Sequence, residues 1–244
     1  MLDGLQAPCV AGVDGCRFGW IVVVLDANNQ AQFNVFSSFR ELLDALPEIK
    51  IFAVDMPIGL PDRVGAGGRG PEANIRPLLG MRQSTVFSIP PRAAVYAEDY
   101  WEACRLSQMH SQPAKKVSKQ AYNLFPKIRE LDALITPDLE HKIFEVHPEL
   151  ALWRLNGEQP VAIPKKIKGQ INPEGMQERS KILSRNGIAS SFLSSNLPRG
   201  CKQDDFLDAC ANALIAKRLL VGKAQPFPKS YRRNSQGLRM AIWA

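Results

Sequence analysis

The 244 residues include 31 Lys plus Arg and 24 Asp plus Glu, which gives a formal net charge of +7, and 45% of them are hydrophobic. This length and apolar content are typical of a folded chain with one large domain or two small ones, and they exclude disorder as the dominant state. No stretch approaches the roughly 20 consecutive apolar residues of a membrane-spanning helix, and residues 1–10 lack a secretory signal. We therefore expect a soluble, cytoplasmic protein with no membrane partner.

The cysteines are odd in number and scattered, at Cys9, Cys16, Cys104, Cys201 and Cys210. No CxxC pair occurs, which argues against a disulfide framework and against a thiolate zinc site. We expect most of them to be buried thiols.

The first part of the chain has a clear order of predicted elements. They are strands at 8–14, 20–25 and 32–36, a helix that begins at Ser38, and a strand at 51–54. The first two strands predict a hairpin, and Glu41 three residues after Ser38 predicts a capping box. The simplest arrangement is an antiparallel meander whose first strand accepts the fourth in parallel through a right-handed helical crossover.

Asp14 and Asp55 follow the predicted first and fourth strands. Because parallel strands bring their carboxyl ends to the same edge of a sheet, we expect the two carboxylates to be neighbours at a ligand crevice. Two adjacent carboxylates repel each other unless a cation or a shared proton compensates. The alternative is that both are turn residues, since Asp before Gly and Asp shortly before Pro are ordinary turn chemistry.

Residues 57–140 interrupt this pattern with a segment rich in Pro, Gly and Arg, which predicts a long insertion that forms a loop or lid. Its arginines and hydroxyl groups could hold phosphate oxygens by charge-assisted hydrogen bonds. Helices are predicted at 94–109 and 114–134, and the lysines of the second are either substrate contacts or part of a solvated face. The substrate-binding candidates, one of them from the first hairpin, are Arg17, Arg69, Arg82, Ser84, Arg92, Lys115, Lys116 and Lys119.

The chain returns to the sheet at residues 142–147, where Glu145 lies among apolar neighbours. A helix is predicted at 148–155, with Glu149 in a structural role in its first turn. The elements that follow are a basic loop at 160–173 and a helix at 174–186.

Residues 204–220 predict a strongly apolar helix whose polar exceptions form a stripe. Asp205, Asp208 and Asn212 are spaced i, i+3, i+7 and share one face. Asp204 as N-cap and Asp205 as a dipole partner have ordinary explanations, but Asp208 lies between apolar residues and should face a cation, a partner or water. A solvent-facing stripe is the alternative.

The end of the chain is strongly basic. Residues 217–244 hold seven Lys and Arg and no acid, so their charge equals the whole excess of +7. We predict a basic C-terminal tail at 221–244 that could follow a phosphate backbone with steeply salt-dependent binding. The alternative is that these charges serve solubility alone.

Five motifs identify a family. They are GVDGCRFGWIVVVLD at 12–26, VDMPIGLP at 54–61, RQSTVFSIPPRAAVYA at 82–97, EVHPE at 145–149 and DDFLDACANAL at 204–214. Over residues 10–220 the sequence resembles the predicted RNase H-like nuclease family called domain of unknown function 429. The D-x-x-D-A pattern of the last helix is also similar to that of RuvC-type resolvases.

The resemblance implies an α/β, RNase H-like fold. We expect a single domain over 1–244, with a mixed five-stranded sheet of order 3-2-1-4-5, flanking helices and a large insertion after the fourth strand. By the resemblance, the acids of the site are Asp14, Asp55, Asp205 and Asp208, and Glu145 matches the EVHPE motif. The acid that the first helix usually supplies has no clear equivalent, since Glu41 and Asp44 could be surface groups.

These acids predict a metal-dependent nuclease. Asp14, Asp55 and Asp208, with Asp205 or Glu145, would hold two Mg²⁺ (or Mn²⁺) ions roughly 4 Å apart and hydrolyse a phosphodiester. The expected partner is nucleic acid, with DNA or RNA and the oligomeric state left open. The alternatives are a non-catalytic nucleic-acid-binding module of this fold, and an actin-like or sugar-kinase-type phosphotransferase, although that class has two duplicated halves.

Overall fold

A five-stranded mixed sheet forms the centre of the protein, for which the computed structural model describes residues 4–244. Its strands are β1 (Val10–Cys16), β2 (Gly19–Leu25), β3 (Ala31–Phe36), β4 (Ile51–Val54) and β5 (Ile143–Glu145). Strand β2 pairs antiparallel with β1 and β3, whereas β4 runs parallel to both β1 and β5. The order across the sheet is β3-β2-β1-β4-β5, which confirms the predicted 3-2-1-4-5 arrangement.

Helices flank this sheet, and two small hairpins complete the described residues. The helices are α1 (Phe39–Ala45), α2 (Pro71–Ile75), α3 (Arg92–Val95), α4 (Tyr100–Met109), α5 (Lys119–Tyr122), α6 (Phe125–Asp132), α7 (Pro148–Leu155), α8 (Pro173–Arg185), α9 (Ser190–Leu193) and α10 (Gln203–Leu220), with 3₁₀ helices at Arg76–Thr85 and Pro137–Leu139. The hairpins are β6 (Lys166–Ile167) with β7 (Gln170–Ile171), and β8 (Pro226–Arg233) with β9 (Arg239–Trp243).

Helices cover both faces of the sheet because its central strands are apolar at consecutive positions. On β2, Ile21 and Val23 belong to the hydrophobic core on the side of α10. Val22 and Val24 point to the opposite face and belong to the core on the side of α1. A helix at Ser38 is confirmed, since the Ser38 hydroxyl accepts the backbone N–H of Glu41 at 3.1 Å.

Helix α10 packs directly on β1, and this contact depends on a glycine. A Cβ on Gly12 would overlap the backbone of α10 at Ala209 and Ala213. On the same helix, the Asn212 side-chain amide donates to the carbonyl of Val13 at 3.1 Å. The close approach therefore fixes the helix against the end of β1 that carries Asp14.

The segment between β4 and β5 contains shorter helices than the sequence predicted. The expected helix at 94–109 is interrupted, because the Asp99 carboxylate caps a new helix by accepting the N–H groups of Trp101 and Glu102. The expected helix at 114–134 is likewise divided into α5 and α6, whose starts have Ser118 as N-cap and a proline near the first helical position.

The basic C-terminal segment is part of the folded structure, and the expectation of a tail is corrected. Residues 226–243 form the β8–β9 hairpin, and Ile242 and Ala244 are buried. The Trp243 ring packs edge-on against Phe144 of β5, with 5.3 Å between the ring centroids. Three consecutive residues of β9, Met240 to Ile242, are buried, whereas the basic residues of β8 are exposed, so the hairpin packs against the protein while those charges stay outside.

Two further expectations from composition can be compared with the structure. The five cysteines are free, and Cys201 is the one that is not buried. Among the helices of residues 4–244, none combines the length and the apolar character needed to span a membrane.

Candidate active site

Asp14 and Asp55 are neighbours at one edge of the sheet. The parallel pairing of β1 with β4 ends at Val13 and Val54, and the backbone N–H of Asp55 donates to the carbonyl of Val13 at 3.0 Å. Strand β1 continues two residues beyond Asp14, because Asp14 still pairs with Ile21 of β2. Asp14 and Asp55 therefore each come directly after the last residue of their strand that takes part in the parallel pairing, as the sequence predicted.

Asp208 joins them from helix α10. It is buried, with 3% of its surface exposed, and Asn212 on the same stripe is fully buried, so the solvent-facing stripe is wrong. One carboxylate oxygen of Asp208, Oδ2, accepts a hydrogen bond from the ammonium of Lys165. The other oxygen, Oδ1, is buried without a hydrogen-bond partner. We call Asp14, Asp55 and Asp208 the acid cluster.

The pKa values of the acid cluster show that its members act on one another. Burial raises the pKa of Asp14 well above its usual value, and the charges of Asp55 and Asp208 raise it further. Burial and the charge of Asp208 raise the pKa of Asp55 to about 8. Burial also raises the pKa of Asp208, although Lys165 opposes that shift. Burial and mutual repulsion thus oppose the ionisation of all three carboxyls, and Lys165 offsets this only in part.

Lys165 is the cation that the structure supplies to this cluster. Burial alone would lower the pKa of Lys165, but the carboxylates of Asp208 and Asp14 outweigh burial and raise it. The sequence analysis included Lys165 only in a basic loop at 160–173. No local pattern distinguishes it from its neighbour Lys166, and only the fold brings it to Asp208.

Asp205 lies at the margin of the cluster and is only partly buried. It caps the start of α10, since its Oδ2 accepts the backbone N–H of Lys202 at 3.3 Å. Burial and the neighbouring charge of Asp204 raise the pKa of Asp205 to about 6. The expected N-cap role of Asp204 is corrected: the N-cap is Lys202, and Asp204 is buried in an ion pair with Lys166.

Glu145 ends β5 and is held by Arg69. The guanidinium of Arg69 donates to both carboxylate oxygens of Glu145, one of them at 2.8 Å, and the backbone N–H of Ile58 donates at 2.8 Å. Burial raises the pKa of Glu145 to about 6, while Arg69 counteracts the rise. Arg69 is only 1% exposed and also binds Glu72, so its role in the structure is to hold Glu145 in place, which corrects its expected role in binding substrate.

The other substrate-binding candidates are spread over the surface. Arg92 makes a two-bond ion pair with Asp132, which engages its guanidinium within the protein. Arg82 is half-buried, and its Nε has no partner. The exposed candidates are Arg17, Ser84, Lys115, Lys116 and Lys119. Lys119 lies over the ring of Tyr100, with 3.3 Å from its Nζ to the ring centroid.

A cleft of about 860 Å³ opens beside Asp14 and Asp55. Two titratable residues that the sequence analysis did not propose for the site also line it. His147 is kept neutral near pH 7 because burial lowers its pKa to about 4, and its Nδ1 is buried without a partner. Lys127 donates to the carbonyl of Gly19, and its Nζ lies 4.5 Å from the centroid of the Trp20 ring. The EVHPE motif contains His147, whereas no motif includes Lys127.

The donor set fits a divalent cation by its chemistry. Carboxylate oxygens are the hard ligands that Mg²⁺ and Mn²⁺ take, and Oδ1 of Asp208 is a buried oxygen with no partner. As placed, however, no three Asp, Glu, His or Cys side chains in residues 4–244 are close enough together to hold a metal ion. The acid cluster is therefore not a ready-made metal site, and a cation there would share Asp208 with Lys165.

Comparison with known proteins places the chain in a family whose matched residues include this site. The family described as "Protein of unknown function (DUF429)" matches residues 12–233. The chain belongs to this family. No curated protein and no solved structure matches it. The matched residues of this DUF429 protein include the acid cluster, Lys165 and the cleft residues His147 and Lys127, so the site lies within the part of the chain that defines the family.

Proposed function

We propose that this DUF429 protein is a metal-dependent nuclease of RNase H-like fold that hydrolyses phosphodiester bonds in nucleic acid. The observation that carries the proposal is the acid cluster itself, which unites carboxylates from β1, the end of β4 and α10 beside an open cleft. Their raised pKa values indicate that burial and mutual repulsion oppose their ionisation, an opposition that a further cation would relieve. Such a site favours the binding of a cation.

The strand order supports the fold relationship. A sheet of order 3-2-1-4-5 with helices on both faces agrees with what the resemblance implied for RNase H-like proteins. The D-x-x-D-A pattern lies on α10, where Asp208 is buried against the sheet edge. Both features are independent of the surface charge on which nucleic-acid binding depends.

The acid cluster would hold the metal. A bound Mg²⁺ or Mn²⁺ supplies Lewis-acid polarisation of the phosphate and a lower pKa for a bound water. The protein positions Asp208 through the packing of α10 on β1 at Gly12, and it positions Asp55 through its backbone hydrogen bond to Val13. Because these carboxylates are buried, their interactions with cations are stronger than in water. Asp205 and Glu145 contribute negative charge around the cluster while capping α10 and pairing with Arg69.

Positive groups must attract the polyanion to this acidic edge. Lys127 lines the cleft, and Lys119 opens the helix that leads to cleft residues Asn123 and Leu124. The exposed lysines at 115 and 116 precede them on the same surface segment. Neutralisation of phosphates by these groups would release counterions, so binding should weaken steeply with salt.

The first prediction tests the acid cluster. Asp14→Asn and Asp208→Asn should each reduce Mn²⁺-dependent cleavage of nucleic acid by roughly 10²-fold or more, because an electrostatic group of the site is lost. Cleavage is measured on labelled single-stranded and duplex DNA and RNA, and circular dichroism checks the fold. Asp44→Asn is the matched control, since Asp44 is exposed on α1 and should leave cleavage unchanged.

Two results would contradict the proposed nuclease activity. A protein that cleaves none of these substrates in Mg²⁺ or Mn²⁺, or variants that cleave as well as the wild type, would exclude a nuclease acting through these residues.

Two observations favour a second candidate, a non-catalytic nucleic-acid-binding module. Lys165 already pairs with Asp208, and no ready three-ligand metal site exists in residues 4–244. In that case the Asn variants should bind nucleic acid as well as the wild type or better, with no turnover in either. The phosphotransferase has less support, because residues 12–54 provide the one first-strand hairpin of this kind in the described chain and no duplicated half accompanies it.

A further inference from the structure

Two cysteines from distant parts of the chain meet at the end of β1. The thiol of Cys201 donates to the sulfur of Cys16, with 3.5 Å between the two Sγ atoms, although 185 positions of sequence separate the residues. By contrast, the thiols of Cys9 and Cys104 donate to backbone carbonyl groups. Because the sulfur atoms of a disulfide lie roughly 2 Å apart, a shift of about 1.5 Å would bring Cys16 and Cys201 to bonding distance.

Backbone packing brings these two cysteines together. Cys16 is the last residue of β1, and Cys201 lies in the loop that leads into α10. A Cβ on Gly200 would overlap the ring of Phe18, so this loop lies directly on the turn between β1 and β2. The backbone N–H of Cys201 donates to the carbonyl of Pro198 at 3.1 Å, which closes a turn just before the helix. The meeting of the two thiols therefore follows from contacts of the surrounding chain.

The two thiols differ in their access to solvent. Cys16 is buried, with 6% of its surface exposed, whereas Cys201 is partly exposed. A small oxidant would therefore reach Cys201 first, and Cys16 is the thiol placed to react with the product. Burial and the hydrogen bond with Cys16 raise the pKa of Cys201 to about 12, so its thiolate is scarce at neutral pH and the exchange is slow.

We propose that Cys16 and Cys201 are a redox site that closes to a disulfide by exchange with a small disulfide oxidant. The Cys201 thiol loses its proton, its sulfur forms a bond to one sulfur of the oxidant, and the S–S bond of the oxidant breaks to release one thiol. The Cys16 sulfur then forms a bond to the Cys201 sulfur, and the second half of the oxidant leaves as a thiol. The two protein thiols together lose two electrons and two protons, which reduce the oxidant to two thiols.

The disulfide would join the two elements that carry Asp14 and Asp208. Cys16 follows Asp14 on β1, and Cys201 precedes α10, which begins at Gln203. The bond would link residues 185 positions apart, and a cross-link that closes a long loop restricts the unfolded chain strongly. Oxidation should therefore raise the unfolding temperature. This expectation requires neither a bound metal nor nuclease activity.

The test counts the thiols of the full-length protein after equilibration with glutathione. Five thiols should stay free in reduced glutathione and three in oxidised glutathione, counted by mass spectrometry after acid quenching, denaturation and alkylation. Peptide mapping should find Cys16 linked to Cys201, and the oxidised protein should unfold several degrees higher by circular dichroism. Cys201→Ser should keep four thiols in both buffers and show no shift. The matched control Cys104→Ser should fall from four thiols to two and keep the shift.

Three results would overturn the proposal. They are five free thiols in oxidised glutathione, a glutathione adduct on Cys201 that leaves Cys16 free, and a cross-link between two chains on a non-reducing gel. If Cys201→Ser does not fold, peptide mapping of the wild type still decides, because it identifies the linked residues directly. These readouts are independent of nucleic-acid cleavage, so failure of the proposed nuclease and failure of the redox site are told apart.

Discussion

Asp55 illustrates, at the scale of single residues, what it costs to hold carboxylates together. The pKa of its carboxyl is raised from 3.8 to about 8 by burial and the charge of Asp208. In the unfolded chain the carboxyl loses its proton at lower pH than in the folded protein. Ionisation of Asp55 therefore favours the unfolded state, and its contribution to stability falls as the pH rises from about 4 to about 8.

The resulting prediction concerns metal-free protein. Asp55→Asn should unfold at a temperature several degrees above the wild type at pH 8, and the difference should shrink towards pH 5, because the wild-type carboxyl is then protonated. In a chain of this length about 1 kcal/mol corresponds to roughly 2–4 °C. Thermal unfolding followed by circular dichroism in EDTA measures the difference.

Asp44→Asn serves as the control, since its carboxyl is exposed on α1. An Asp55→Asn variant that is less stable than the wild type at pH 8, or a difference independent of pH, would contradict the raised pKa.

Charge pairing at residue scale also explains why the predicted site residues have different roles. Glu145 has two hydrogen bonds from Arg69, whereas Asp208 has one partner and one unpaired buried oxygen. An oxygen without a partner in a buried site favours a further cation, and a carboxylate already satisfied by a guanidinium does not. This difference separates the acid cluster from the residues that support it.

At the scale of elements, the contact between β1 and α10 decides whether the acids meet. Gly12 leaves no space for a side chain, because a Cβ there would lie 2.7 Å from the Cα of Ala213 and closer still to two backbone atoms. Both partners are backbone, so neither can rotate away. The glycine thus allows the close approach of β1 and α10 that places Asp208 beside Asp14.

Gly12→Ala should therefore destabilise the protein by about 1–3 kcal/mol or more, because overpacking pushes α10 away from the sheet. Urea unfolding measures the loss. Gly67→Ala is the matched control, since a Cβ at Gly67 meets no atom within 4 Å and should change stability little. Equal stability of Gly12→Ala and the wild type would show that the two elements do not need this close approach.

At the scale of the whole molecule, the C-terminal hairpin connects the surface charge to the core. Arg239 of β9 donates to Glu140, which precedes β5, and Arg233 of β8 pairs with the same carboxylate at 2.8 Å. Ile242 lines the cleft beside the acid cluster. The basic residues therefore belong to an element that closes one side of the site.

Deletion of residues 226–244 should consequently expose apolar surface and lower the unfolding temperature, measured by dye binding and thermal unfolding. By contrast, the double variant Lys223→Gln and Lys229→Gln changes only exposed positions and should fold normally. The salt dependence of its nucleic-acid binding should become less steep if these lysines contact phosphates. A truncated protein as stable as the full chain would contradict the structural role of the hairpin.

The sequence by itself determined the elements and much of their order. Strand and helix periodicities are local, so the five strands, α1, α8 and α10 were predicted close to their bounds, and parallel pairing predicted that Asp14 and Asp55 would meet. Where local signals competed, as at Asp99 and Ser118, helix caps divided segments whose periodicity alone predicted longer helices.

Only the tertiary structure decided which charges compensate one another. Arg69 binds Glu145 across 76 positions of sequence, and Lys165 reaches Asp208 across 43. These partners depend on the paths of the intervening segments, which no spacing rule encodes. The C-terminal hairpin is a second example. Its basic residues predict a tail from the sequence, and only the fold provides the surface that its apolar residues cover. Composition fixes how much charge the chain carries, and packing fixes where that charge is balanced.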